Sequence, residues 1–269
     1  MTKAACFSVA AMDFFPQQNE RFAGGNSLNQ AIRFRALGWD SAFVGAIGTD
    51  AAGDRIENLL IRSGVDVRHL YRVPGQTASN RIINDKKGER FGVEGAWEDG
   101  VYADFRLSER DWAYIENIPV WSTHANGINY PEAIKRKKAG NFLAVDFLHF
   151  DTYELLEQGI EAVDVAYFGG VRGQLPDLIS YSRRFSGILV LTLGAEGSIA
   201  VQDGKIDVQP ALPLEKVVDT TGCGDAFQAG FTVEYVATGD IRRALQKGAE
   251  SGHVAAMDYG GVPWGEGAE

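Results

Sequence analysis

The chain has 269 residues, with 26 Lys and Arg against 36 Asp and Glu, a formal net charge of −10. That balance, without any block of five or six like charges, excludes a broad nucleic-acid-binding surface, and a hydrophobic content of 45% excludes intrinsic disorder. The 32 glycines make roughly 12% of the chain against a usual ~7%, and the expected partners are small molecules. Cys6 and Cys223 lie outside any metal-ligand spacing, so neither a disulfide scaffold nor a zinc ribbon is expected and a reducing cytoplasm is the default compartment. His69, His124, His149 and His253 show no metal spacing either. No window approaches the ~18 uninterrupted apolar residues of a membrane span.

Met1-Thr2-Lys3 followed by the apolar Ala4 to Met12 imitates a signal peptide, but it carries one positive charge and runs straight into Asp13, so it reads as the first buried strand. Core strands are expected at Cys6–Val9, Ala42–Ile47, Trp121–His124, Phe142–Phe147, Val163–Phe168 and Ile188–Leu193. Between them Leu28/Ala31/Ile32 and Ile56/Leu59/Leu60 keep the spacing of one buried helix face. Ser108-Glu109-Arg110-Asp111 reads as a capping box, in which hydroxyl and carboxylate satisfy unpaired amides at a helix start. This alternation builds a doubly wound, mostly parallel α/β sheet with helices on both faces, in one domain spanning 1–269. Phe14 to Ala23 and Thr77 to Trp97 break the rhythm; the second carries a hairpin turn, Asn84-Asp85-Lys86-Lys87-Gly88, between β-prone flanks. These segments should form a small β lid outside the main sheet, serving as a substrate cover, a dimer clasp or a plain hairpin.

Asp219-Thr220-Thr221-Gly222-Cys223-Gly224-Asp225 precedes a helix expected over Ala226 to Thr238. Small residues at a helix N-terminus bind anions, because amides point outward, the dipole adds partial positive charge and no Cβ blocks a phosphate. Asp225, at the mouth of this cradle, either accepts the proton of an attacking hydroxyl or caps the helix. The helix start and its amides are expected to lower the thiol pKa of Cys223. Gly24-Gly25 permits close approach by a ligand, and Asn29 offers donors and an acceptor suited to sugar hydroxyls. Thr192-Leu193-Gly194-Ala195-Glu196-Gly197 ends a core strand, where open α/β sheets bind nucleotides.

Together these loops resemble the PfkB, or ribokinase-like, family of carbohydrate kinases over nearly the whole chain. The resemblance implies an ATP-dependent kinase that transfers the γ-phosphoryl to a sugar hydroxyl with Mg²⁺. Carried over by position, it makes Asp225 the base and the amides of Gly222, Cys223 and Gly224 the anion hole. Asp13, Gly24, Gly25 and Asn29 then hold the sugar, and Thr192, Gly194 and Gly197 form the ATP loop. Asp219 and Thr221 match positions that in many members hold a monovalent cation such as K⁺. The dimer-clasp reading of the lid segments corresponds to a homodimer through the lid.

Within the family the chain looks most like the fructoselysine 6-kinases, on Asp13-Phe14-Phe15-Pro16-Gln17, Phe22 with Gly24-Gly25-Asn26, Glu89-Arg90-Phe91, Gly100 to Phe105, Leu107-Ser108-Glu109 and the ending Tyr259-Gly260-Gly261 to Trp264. That resemblance implies phosphorylation of the 6-hydroxyl of a fructosyl-amino acid, with Arg81, Arg90, Glu94 and Glu98 of the lid available to its charged part. Four departures stand out, the mildest being Ser27 in place of the usual Ala. Cys223 occupies a position usually held by Ala or another small residue. Ser8-Val9-Ala10 stands where these kinases resemble Gly-Asp-Asn, and Phe168-Gly169-Gly170-Val171-Arg172-Gly173 where most members carry Asn-x-x-Glu, which organises Mg²⁺ waters. The competing readings are a fructokinase or other ketose kinase, a non-catalytic sugar or nucleotide sensor that has lost metal handling, and a dinucleotide dehydrogenase. The last fits poorly, since Phe227 follows Gly222-x-Gly224 where Gly or Ala is expected.

Overall fold

The computed structural model describes residues 2–149 and 152–262. From the N-terminus, β1 (Lys3–Cys6), β2 (Ala11–Phe15) and β3 (Glu20–Gly24) lead into α1 (Asn26–Ala36), β4 (Asp40–Gly48), α2 (Ala51–Arg62) and β5 (Asp66–Val73). Strands β6 (Ala78–Asn84) and β7 (Arg90–Gly92) follow, then α3 (Glu109–Ile115), β8 (Val120–His124), α4 (Tyr130–Arg136), β9 (Phe142–His149), α5 (Glu154–Gln158), β10 (Val165–Gly169) and α6 (Leu175–Ser182). The described chain closes with β11 (Ile188–Thr192), β12 (Ser198–Gln202), β13 (Lys205–Gln209), α7 (Cys223–Thr238) and α8 (Ile241–Ala255).

Nine strands form the main sheet in the order β13-β12-β11-β10-β9-β8-β1-β4-β5. Every pairing from β5 to β11 is parallel, and only the β11–β12 and β12–β13 pairings at one edge are antiparallel. Side chains alternate between faces as the two-residue period requires. Ala4 and Cys6 of β1 meet Leu28, Ile32, Ile56 and Leu60 of α1 and α2, while Ala5 packs with Trp112 and Ile115 of α3 and Tyr130 of α4. On β10, Val165 and Tyr167 face Phe227 and Phe231 of α7, and Ala166 and Phe168 face Leu178 and Tyr181 of α6. The sheet is therefore covered on both sides, as its near-continuous apolar strands demand.

The smaller sheet, β3-β2-β6-β7, is the lid. Its β6–β7 hairpin pairs Asn84 with Arg90 across the expected turn. Asp50, the N-cap of α2, also accepts from the Thr77 amide and hydroxyl at 2.9 and 2.6 Å, fixing the start of β6 against the main body. The Ser108–Asp111 capping box is present at the start of α3.

Two expectations need correction. The first strand is Lys3–Cys6, not Cys6–Val9: the Phe7 amide still bonds the Ser122 carbonyl, and the chain then leaves the sheet to reach β2. Phe7 and Val9 are buried in that crossing, so their apolar character marks burial without a strand. Strands β5, β12 and β13 were not anticipated. Strand β5 is only half-buried, which blunts its pattern, whereas β12 and β13 are joined by Asp203-Gly204, both at positive φ, a turn signal that could have found them.

Candidate active site

The C-terminal ends of β8 and β9, the N-termini of α1 and α7 and the inner face of the lid enclose a cavity of about 520 Å³. Ligands of open parallel sheets bind in this crevice. The structure brings Asp13, Gly25, Asn29, Thr221, Gly222 and Asp225 together on its lining, from segments far apart in sequence. Gly24 lies just behind: a Cβ there would stand 2.4 Å from Asp13 Oδ2, so glycine lets the carboxylate sit against β3.

Asp225 is the third residue of α7, yet its carboxylate takes no bond from its own helix. Asn29 Nδ2 donates to Oδ2 at 2.6 Å and Asn26 Nδ2 to Oδ1 at 2.9 Å. Asn26 Nδ2 also lies 2.9 Å from Oδ2 of Asp146, at the end of β9. Burial, reinforced by the charge of Asp146, pushes the Asp225 carboxyl up to about 7, against the pull of Asn29, Arg90 and Asn26. Burial likewise raises Asp146, and it pushes Asp13 up to about 6, opposed by Arg90 and reinforced by Asp219. Asp225 is therefore not the lone carboxylate of the cradle. Asp146 gave no sequence signal beyond interrupting an apolar run.

Gly222 caps α7 at φ 73°, and a Cβ there would meet the Gly261 Cα at 2.4 Å. Left-handed backbone and close approach both require glycine. Gly222, Gly224 and Asp225 have amides with no acceptor among the described residues, whereas the Cys223 amide already donates to the Thr220 carbonyl at 3.2 Å. The Cys223 thiol departs from expectation. Burial, with the charge of Asp219 added, pushes it up to about 12, outweighing Arg33.

Asp219 is fully buried and its oxygens are taken. Oδ1 accepts from Asn84 Nδ2 and from the amide and hydroxyl of Thr221, and Oδ2 accepts from the Gly260 amide. These bonds brace the loop against the lid and the C-terminal segment, so a cation here would find the carboxylate already engaged. Among the described residues no three His, Cys, Asp or Glu side chains converge as a metal cage. The lid hairpin is fastened to the same loop, with Thr220 N bonding the Gly88 carbonyl at 3.0 Å and Arg90 N bonding Thr220 Oγ1 at 2.9 Å.

Thr192, Gly194 and Gly197 do not line this cavity. They sit where β11 ends, two strands or roughly 10 Å from β9, with Gly194 and Gly197 at positive φ. Phe168 to Gly173 runs beside them: Gly170 N bonds the Thr192 carbonyl, and Arg172 Nε pairs with Glu196 at 3.2 Å.

Of the lid charges singled out, only Arg90 faces the cavity. Arg81, Glu94 and Glu98 line a separate outer cleft beside α2. The wall opened by Ser8-Val9-Ala10 is furnished from elsewhere, as Ser8 Oγ meets Tyr102 OH at 3.0 Å and Tyr102 OH meets His124 Nε2 at 3.2 Å. Burial pushes His124 down to about 4, so it is neutral, and its Nδ1 has no partner among the described residues. Trp264, the last residue of the resemblance, falls outside the described residues.

Residues 11–166 and 176–263 match the pfkB family of carbohydrate kinases, and the chain belongs to that family. It is an ATP-dependent phosphotransferase acting on a sugar hydroxyl. A fructoselysine 6-kinase of Escherichia coli is 30% identical over 262 residues, 92% of this chain and 95% of that one. Among solved structures, the adenosine kinase of Sinorhizobium meliloti superposes with a TM-score of 0.84 at 19% identity, covering 98% of this chain and 96% of that one. An Arabidopsis thaliana ribokinase complexed with ribose and ATP gives 0.81 at 20% identity, covering 96% and 93%. The fold is ribokinase-like. No described helix is long and apolar enough to cross a membrane.

Proposed function

We propose that the chain transfers the γ-phosphoryl of ATP to the 6-hydroxyl of a fructosyl-amine, a fructose unit carried on the amino group of an amino acid. The observation that carries this reading is the cavity that holds Asp225: Asp13, Asp99, Asp146 and Asp225 line it against one guanidinium, that of Arg90. Such a surplus of carboxylates suits a sugar bearing a cationic nitrogen better than a neutral ketose. The likeness to a fructoselysine 6-kinase at 30% identity supports the same class.

In this reading the 6-hydroxyl stands at Asp225, whose carboxylate takes its proton as the bond to phosphorus forms. Asn26 and Asn29 hold both oxygens of that carboxylate and so set its direction. Asp13 accepts hydrogen bonds from the sugar, and the open amides of Gly222, Gly224 and Asp225 receive the phosphoryl oxygens. Thr192, Gly194 and Gly197 hold the nucleotide. With no protein cage among the described residues, Mg²⁺ would arrive with ATP and keep most of its waters. Asp146 is the carboxylate that would face them, and the bound ion neutralises phosphate charge.

Incubation with ATP and a panel of fructose, ε-fructosyl-lysine and other ketoses tests the reading, with ADP formation and product NMR as readouts. Turnover of the fructosyl-amine in preference to fructose, with phosphate on C6, is expected. Preference for a free ketose would reassign the substrate.

A further inference from the structure

Strand β6 has a neighbour beyond β7. Ser79 and Glu98 form an isolated antiparallel bridge, their amides and carbonyls bonded at 2.8 and 2.9 Å. Around this bridge the charges are sorted: Glu98 lines the outer cleft, while its neighbours Trp97 and Asp99 line the cavity that holds Asp225.

Asp99 is not spent on the protein. Trp97 Nε1 donates to Oδ1 at 2.7 Å, which orients the carboxylate, while Oδ2 has no partner among the described residues. Asp99 precedes the short 3₁₀ turn Gly100–Tyr102 yet makes no cap bond to it. Asp99 stands three residues before Tyr102 on the cavity wall and adds its charge to the burial that raises the Tyr102 hydroxyl. The same cavity presents unsatisfied polar atoms from residues more than nine-tenths buried, Asn29 Oδ1 and His124 Nδ1, as a site made for a polar ligand does.

We propose that Asp99, held by the indole of Trp97, is the residue that recognises the ammonium of the substrate, the protonated nitrogen on C1 of a fructosyl-amine. This rests on the fructosyl-amine reading above. When the 6-hydroxyl is at Asp225, C1 is the opposite end of the ketose chain, and Asp99 with Trp97 is the anionic and aromatic pair on the lid side of the cavity. A carboxylate accepts a charge-assisted bond from the ammonium, and the exposed indole offers its face to the same cation. Fructose has a hydroxyl at C1 and gains nothing from the charge. The pair thus sorts conjugates from free ketoses without touching the reacting atoms.

The test compares 1-amino-1-deoxyfructose with fructose, which differ only in the group on C1, in wild type, Asp99→Asn, Asp99→Glu and Trp97→Phe. Wild type should prefer the amine. Asp99→Asn should lower kcat/KM for the amine relative to fructose by roughly 10- to 100-fold through KM, the range for a charge-assisted bond. Asp99→Glu should restore part of the loss, and Trp97→Phe should cost several-fold on the amine alone. An unchanged amine-to-fructose ratio in Asp99→Asn would overturn the role of Asp99 while leaving the substrate class standing. A wild type that takes no ketoamine would remove both.

Discussion

Asp146 and Asp225 share one donor: Asn26 Nδ2 lies 2.9 Å from an oxygen of each. Burial, with the charge of Asp146 added, brings Asp225 to about 7. A proton acceptor works best when its pKa lies near the working pH. The kcat/KM for sugar should therefore rise with pH through about 7 as Asp225 ionises, and a pH–rate profile of wild type should show this limb.

The same shift has a stability sign. An unfolded Asp titrates near ~3.9, so the folded state holds a proton on Asp225 that the unfolded chain has lost. The stability this contributes is fully present below about 4 and disappears as pH rises through about 7. Between pH 5 and pH 8, thermal unfolding of wild type should lose ground against Asp225→Asn. A constant gap between the two across that range would show that Asp225 does not carry the proton.

Asp13 is buried, lines the cavity and sits against Gly24. Removing a charged acceptor loses about 1.5–3 kcal/mol of binding, so Asp13→Ala should weaken sugar binding by roughly 10- to 100-fold with ATP affinity nearly unchanged. Gly24→Ala should act in the same direction, because its Cβ would displace the Asp13 carboxylate from 2.4 Å. Titration calorimetry with each ligand separates the two affinities, and equal damage to both would assign Asp13 to the framework.

With its thiol pushed up to about 12, Cys223 holds almost no thiolate near neutral pH. Labelling at pH 7.5 should be much slower than for a free thiol, and Cys6, fully buried and shifted further upward, slower still. Mass spectrometry of a time course with iodoacetamide reads both; rapid modification of Cys223 would restore an activated thiol.

Gly173 occupies a 3₁₀ turn, and a Cβ on it would meet nothing within 4 Å. A side chain fits there. Since Mg²⁺ needs one or two carboxylates beside the phosphates, Gly173→Glu should lower the half-saturating Mg²⁺ concentration at fixed ATP and sugar. An unchanged or raised Mg²⁺ requirement would place metal organisation elsewhere.

What could be read from the chain divides along physical lines. Glycine loops and apolar runs are local signals, so the β6–β7 turn and α7 were legible, the helix expected from Ala226 although it starts at Cys223. Asp146 and Asp99 were not, because a single carboxylate in an apolar run or in a lid acquires meaning only from what the fold sets opposite. Arg81, Glu94 and Glu98 misled for the same reason: which face of the lid a charge occupies depends on register, and the Ser79–Glu98 bridge is a contact between residues 19 apart. The Cys223 shift followed from burial, which a helix-start motif does not reveal.

The central claim is that Asp225 takes the proton of the attacking hydroxyl, and the turnover of Asp225→Asn measures it most directly, with ATP binding followed in parallel. Asn keeps the size of the side chain but removes the base. The account predicts ATP affinity close to wild type and a kcat lowered by roughly 10²-fold or more; near-normal kcat in a folded, ATP-binding variant would contradict it.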